Sequence, residues 1–151
     1  LDQICKKLNL KNTDSILEIG TGWGSFAIHA AKNYGCNVTT TTISDAQYEF
    51  AKKRIKDENL SNKINLLNKD YRFLKGKFDK IASIEMIEAV GHKNVPEYLK
   101  KVSSLLNDDG LFVMQGITYN DQNFEVYKHS VDFPVLLYLC SLVAILNISN
   151  L

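Results

Sequence analysis

Three short stretches hold residues whose types and spacing can do chemistry. In Glu18-Ile19-Gly20-Thr21-Gly22-Trp23-Gly24 an acid precedes glycines at alternate positions. Such glycines admit positive φ and let a ligand approach the backbone with no Cβ in the way. Position 25 is Ser, so the GxGxxG pattern of a dinucleotide loop is not met, and Thr40, Thr41 and Thr42 stand where that reading wants an acid for a ribose hydroxyl. NAD and FAD are disfavoured accordingly. The second stretch, Thr42 to Gln47, offers hydroxyl and amide groups. The third, Glu85-Met86-Ile87-Glu88, offers two carboxylates of the kind that orient or accept a proton.

Other candidates are weaker. His29, His92 and His129 have no acid or nucleophile at a fixed spacing, and His92 follows Gly91 in what reads as an exposed loop. Cys5, Cys36 and Cys140 are odd in number, far apart and without a CxxC pair, which predicts reduced intracellular thiols and no metal site. With 18 basic against 17 acidic residues the net charge is +1, and the basic footprint of a nucleic-acid binder is missing. The start lacks the layout of a signal peptide. The apolar run from Phe133 to Leu146 is too short to cross a bilayer as a helix, which needs about 20 residues.

The elements that must position these residues alternate. A short amphipathic helix (Leu1, Ile4, Cys5, Leu8) precedes a strand over Ser15 to Gly20, the glycine turn, and a helix that stops at Gly35. Cys36 to Thr42 reads as a β-branched strand, and Ser44 with Gln47 three residues later is a capping-box signature for a helix to about Asn59. Lys63 to Leu67, Phe78 to Ile84 and Gly110 to Ile117 are further strands, the last bounded by Asp108-Asp109-Gly110. Between the last two, Pro96 opens a helix with a stripe of Leu99, Val102, Leu105 and Leu106. This alternation predicts an α/β fold, a mostly parallel sheet with helices on both faces and ligands beyond the carboxyl ends of the strands.

The ordered segments LEIGTGWGSFAIHAAKNYGCNVTTTTISDAQYEFAKKRI, KDYR, KFDKIASIEMIEAVGHKN and DGLFVMQGIT together resemble the cyclopropane-fatty-acyl-phospholipid synthase and mycolic-acid methyltransferase family. The likeness runs to about Phe133. It implies a Rossmann-like fold of the class I S-adenosylmethionine-dependent methyltransferases. It implies that Glu18, Gly20, Gly22 and Gly24 belong to the loop holding the methionine part of the cofactor, with Trp23 closing over it. Thr42, Ser44 and Gln47 would face the ribose, and Asp70 and Tyr71 the adenine. Glu88 matches the family's active-site glutamate, which helps hold a bicarbonate base with an upstream Cys, a downstream Tyr, and a His and Ile that here read Gln115 and Ile117. The implied substrate is an unsaturated phospholipid or acyl chain, the implied location cytoplasmic and peripheral to a membrane.

The chain departs from that pattern twice. No segment before the first strand supplies the family's Cys, and after residues 1–133, the expected cofactor domain, the apolar residues 134–151 diverge from the substrate segment and final antiparallel hairpin. A five-stranded sheet without the hairpin would leave an apolar edge. A fragment, a truncated product, or a variant whose tail replaces the missing strands each account for this. Two rival functions stay open: methyl transfer to a small amine, and a non-catalytic cofactor-binding domain.

Overall fold

The computed structural model describes residues 1–118 and 140–146. Helix α1 (Asp2–Lys7) leads into strand β1 (Ser15–Ile19), α2 (Ser25–Tyr34), β2 (Asn37–Thr42), α3 (Asp45–Asp57) and β3 (Ile64–Asn68). Strand β4 (Phe78–Ile84), the short α4 (Ile87–Val90), α5 (Val95–Leu105), β5 (Leu106–Thr118) and β6 (Cys140–Leu146) complete it. Among the described residues one sheet carries these six strands in the order β3-β2-β1-β4-β5-β6, with β6 antiparallel to β5 and the other pairings parallel. Five parallel strands with helices between them are the Rossmann-like architecture expected.

The edge of β5 is covered. A single strand pairs there, from Phe112 opposite Leu146 to Thr118 opposite Cys140, so part of the apolar tail takes up backbone groups that an open edge would expose. No hairpin is formed among the described residues. The predicted turn at Asp108-Asp109-Gly110 lies inside β5, where Phe78 faces Leu106 but Lys80 faces Leu111, so the polar residues are accommodated as an irregularity in the ladder.

Alternation in β1 divides the core. Ile16 points to α1, α2 and α3, packing with Ile4, Leu8, Phe26 and Ile55, whereas Leu17 and Ile19 point to α5, packing with Tyr98, Val102, Leu105 and Phe112. Each such large side chain contributes about 1.5–3 kcal/mol by burial. The stripe of α5 includes Tyr98, fully buried, while Leu99 is only partly covered. At the amino end of the sheet, Asp79 at the start of β4 accepts hydrogen bonds from the Ser15 N–H (2.9 Å) and hydroxyl (2.8 Å) and from the Asn107 amide (2.8 Å). One carboxylate thereby joins three strands.

Candidate active site

The carboxyl ends of β1, β2 and β3 are stitched together laterally, and the threonine run does most of the stitching. Gly20 and Thr21 donate their N–H groups to the Thr41 carbonyl (3.1 and 2.9 Å), and Lys69 donates to the Thr42 carbonyl (2.9 Å). The side chains add three more links. Thr40 donates to the Glu18 carboxyl (2.6 Å), Thr41 to the Lys69 carbonyl, and Thr42 to the Gln47 amide oxygen (2.9 Å). The sequence marks these threonines as strand formers; their hydroxyls are also the cross-links that fix the loops.

Ser44 caps α3, accepting the Gln47 N–H (3.4 Å). The reciprocal half of the capping box is not made. The Gln47 side chain bonds Thr42, and the Ser44 N–H is taken by the Thr42 hydroxyl (3.1 Å). Thr42, Ser44 and Gln47 thus form one network, on the wall of a cleft of about 830 Å³.

That cleft unites most of the expected cofactor residues: Gly20, Gly22, Thr42, Ser44, Gln47, Asp70 and Tyr71 all line it. Gly20, Gly22 and Gly24 have φ of +96°, +50° and +83°, which side-chain-bearing residues rarely adopt. A Cβ at Gly22 would meet nothing within 4 Å, so the open space beside it belongs to the cleft, whereas at Gly20 it would lie 3.6 Å from Met86. Met86 therefore abuts the glycine turn. At Gly24 a Cβ would press on Ala51 at 3.2 Å, so that glycine seats α2 against α3 and does not reach the cleft.

Tyr71 and Asp70 are held by partners that the sequence did not announce. Tyr71 packs edge-on against Tyr98 (ring centroids 5.2 Å apart), and the Tyr98 hydroxyl donates to Ser83 on β4 (2.7 Å). Burial pushes the Tyr98 phenol up to about 12, so it remains a donor. Asp70 accepts two bonds from the Arg72 Nε (3.0 Å each) and one from the Arg72 N–H (2.8 Å), and the Arg72 side chain holds its carboxyl below the usual range. Lys69, Arg72, Glu85, Met86, Asn94, Glu97 and Lys101 also line the cleft.

Beyond β4 the chain turns sharply. Glu85 has a φ of +50°, and its N–H donates to the Gln115 carbonyl (2.8 Å) while the Gln115 amide donates to its carboxylate (3.4 Å). Glu88, in the first turn of α4, accepts the Ile117 N–H through Oε1. Glu88 is thus joined to Ile117, while Gln115 meets Glu85, and of this corner it is Glu85 that lines the cleft.

Besides Gly24, two expected cofactor residues lie apart from the cleft. Glu18 is 2 % exposed beneath the glycine turn, bonded to Thr40, and burial pushes its carboxyl up to about 8. Trp23 is 54 % exposed and stacks edge-on against Phe50 (centroids 5.1 Å), with its carbonyl accepting from Arg54 (2.7 Å). Cys5 and Cys36 are buried free thiols; burial pushes Cys5 up to about 11, which suppresses the nucleophilic thiolate. His29 lies on α2 beside Asn33 and Asp2, and His92 in a single 3-10 turn, His92–Asn94. His129 and Ser130 to Phe133 lie outside the described residues. Among the described residues no helix is long and apolar enough to cross a membrane.

Residues 1–135 match the family described as mycolic acid cyclopropane synthetase. The chain belongs to this family. Among curated relatives, a probable fatty acid methyltransferase of Pseudomonas putida is 40% identical over 119 residues, covering 78% of this chain and 30% of its own. The cyclopropane-fatty-acyl-phospholipid synthase of Escherichia coli K12 is 38% identical over 136 residues, covering 89% and 35%. The chain spans about a third of the length of these relatives. Among solved structures, coclaurine N-methyltransferase bound to N-methylheliamine and SAH superposes with a TM-score of 0.69 at 29% identity, covering 77% of this chain and 34% of that one. The fold is that of the S-adenosylmethionine-dependent methyltransferases.

Proposed function

We propose that this chain is the cofactor-binding and methyl-transferring part of an enzyme that alkylates the double bond of an unsaturated acyl chain. The observation that carries the reading is one cleft in which the Cβ-free turn Gly20–Gly22 faces the carboxylate-bearing corner after β4. The donor set suits S-adenosylmethionine. Gly20 and Gly22 leave room for its amino-acid part, Thr42, Ser44 and Gln47 offer polar groups to a ribose, and Asp70 with Tyr71 flank a place for adenine. Bound there, the cofactor supplies an electrophilic methyl group.

The remaining work is placement. The lateral bonds from Thr40, Thr41 and Thr42 hold the loops rigid, and the Tyr98–Tyr71 contact sets the wall opposite, so that the reacting groups meet with little reorganisation. Glu88 fastens α4 to β5 and with Gln115 and Ile117 shapes the acceptor side. Bicarbonate, which the family resemblance implies as the base, is left out of this proposal. Among the described residues the Ile117 N–H that would donate to an anion already serves Glu88, and two exposed carboxylates flank the corner.

Residues 1–133 form the cofactor domain in this reading, with 134–151 a divergent segment that lends β6 to the sheet. Exposed Trp23, Ile43, Phe50 and Phe73 lie in the loops after β1, β2 and β3 and on α3, which suits peripheral contact of a cytoplasmic enzyme with a lipid surface. A small-amine acceptor is the second reading, favoured by the same pair of carboxylates and by the likeness to coclaurine N-methyltransferase. Incubation with methyl-labelled S-adenosylmethionine, unsaturated phospholipid vesicles and a panel of small amines separates the two: label in the lipid fraction supports the first, label in an amine the second, and label in neither, despite cofactor binding, leaves a binding domain.

A further inference from the structure

We propose that Glu18 is a specificity residue acting from beneath the glycine turn: through its charge state it holds the cationic methyl donor more tightly than the product left after transfer. This rests on the S-adenosylmethionine reading of the cleft above. The starting point is a buried chain of hydrogen bonds. Thr40 donates to a Glu18 oxygen (2.6 Å), and the Thr40 and Thr21 hydroxyls share a second bond (2.7 Å). All three side chains belong to residues at most 2 % exposed. Thr21 stands between Gly20 and Gly22, which line the cleft, so the carboxyl is two hydrogen bonds from the middle of the turn.

Among the described residues this acid has no counter-ion. Its sheet neighbours are Thr40 on β2 and Ala82 on β4, and Lys80 lies further along the same face of β4, opposite Ile16. Of the helices packed on that face, α1 brings the buried thiol of Cys5. Helix α2 brings His29, beside Asn33 and Asp2, and Tyr34, which donates to Asp2 (2.6 Å). Helix α3 brings Tyr48, under the Lys52 ammonium, and Arg54, which donates to the Trp23 carbonyl and the Ser25 hydroxyl. None of these bonds Glu18. Burial accordingly pushes its carboxyl up to about 8, against the weaker opposing pull of the Thr40 bond.

A ligand over the turn can supply the missing charge. S-adenosylmethionine carries a sulfonium and an ammonium against a single carboxylate, and S-adenosylhomocysteine lacks the sulfonium, so the two differ by one positive charge. Attraction between a buried carboxylate and that charge needs no direct contact in a low-dielectric interior. Glu18 therefore gives one proton to water as the donor enters and takes one back once the methyl group and its charge have left. Ionisation also orders the chain. A carboxylate only accepts, so the hydrogens then run from Thr21 to Thr40 to Glu18, committing the hydroxyl of the turn inward.

Calorimetry on the whole chain tests this without turnover. Affinities for S-adenosylmethionine and S-adenosylhomocysteine are compared between about pH 6 and about pH 9, on either side of the Glu18 value. Both ligands share the ammonium and the carboxylate, so their own titration cancels in the ratio. In the parent the ratio should move about three- to tenfold in favour of the donor as pH rises. Titrations in buffers of different ionisation enthalpy should show more proton release with the donor than with the product. Glu18→Gln should hold the ratio constant and remove the difference in release. Thr40→Val, which deletes the bond favouring the ionised form, should move the rise to higher pH, and Thr40→Ser should restore it; this pair decides the matter if Glu18→Gln does not fold. A flat ratio in the parent, a rise that survives Glu18→Gln, or a rise that Thr40→Val does not displace overturns this inference alone. Failure of the parent to bind either ligand overturns the cofactor reading, and this inference falls with it.

Discussion

Glu88 accepts the backbone N–H of Ile117, so the first turn of α4 is fastened to the carboxyl end of β5 across a contact that only a glycine at 116 allows. A Cβ there would lie 2.9 Å from Ile87 Cγ2 and 3.4 Å from Glu88 Oε1. Asp79 thus ties the strands at the amino end of the sheet, and the Glu88 bond ties α4 to β5 at the carboxyl end.

Gly116→Ala should push α4 off its seat. Overpacking at a tight site costs about 1–3 kcal/mol. Chemical denaturation should show that loss, and methyl transfer should fall further than S-adenosylmethionine affinity, because the glycine turn after β1 is untouched. Unchanged stability would mean that Ile87 yields freely.

Gly22→Val should leave the fold standing, since its Cβ meets no protein atom within 4 Å, while filling space the cofactor needs and straining a φ of +50°. Affinity for S-adenosylmethionine should fall by at least about tenfold, or 1.4 kcal/mol. Calorimetry checks affinity and circular dichroism the fold; wild-type affinity in a folded variant would remove the cofactor from this turn.

Glu18 should make the protein more stable in mild acid than in mild base. Its folded value, about 8, lies above the ordinary 4.5, so the folded state holds a proton that the unfolded state releases. The contribution is complete below pH 4.5 and is lost as pH rises through 8. Glu18→Gln keeps the bond from Thr40 and cannot ionise. Melting temperatures at pH 5.5 and 8.5 should therefore differ less in the variant than in the parent; an identical pH dependence would place the titration elsewhere.

Asp79 should act with the opposite sign. Bonds from Ser15, chiefly its N–H, hold its carboxyl below the ordinary 3.8, so its contribution is present above that value and lost as pH falls. Asp79→Ala leaves Ser15 and Asn107 groups without their acceptor, at about 1–3 kcal/mol. Urea titrations at pH 7 and pH 3 should show a larger gap between parent and variant at pH 7.

The fold was legible because period and punctuation agree. Gly35 ends α2 in a left-handed cap, Ser44 starts α3, and strand and helix alternate as in a parallel sheet. The first wall of the site was legible for the same reason, since residue types in a turn fix its backbone. What escaped was non-local. Tyr98 behind Tyr71, Thr40 on Glu18 and Thr41 on Lys69 depend on distant segments meeting, which no spacing along the chain encodes. Glu85 and Glu88 read alike in sequence, and only the left-handed turn at Glu85 sends one to the cleft while the other serves β5.

The strand order has a temporal meaning too. β1 lies between β2 and β4, and β4 begins more than fifty residues after β1 ends. As the chain leaves the ribosome, β1 can pair with β2 early, but its other edge waits for β4, and loop closure over that distance carries an entropic cost that local pairing avoids. During that interval the glycine turn is tethered to Thr41 on one side while Met86, its neighbour on the other, has yet to be made. A nascent chain stalled before β4 would expose apolar Leu17 and Ile19 on a strand with one edge still unpaired, a point at which folding assistance has the most to protect.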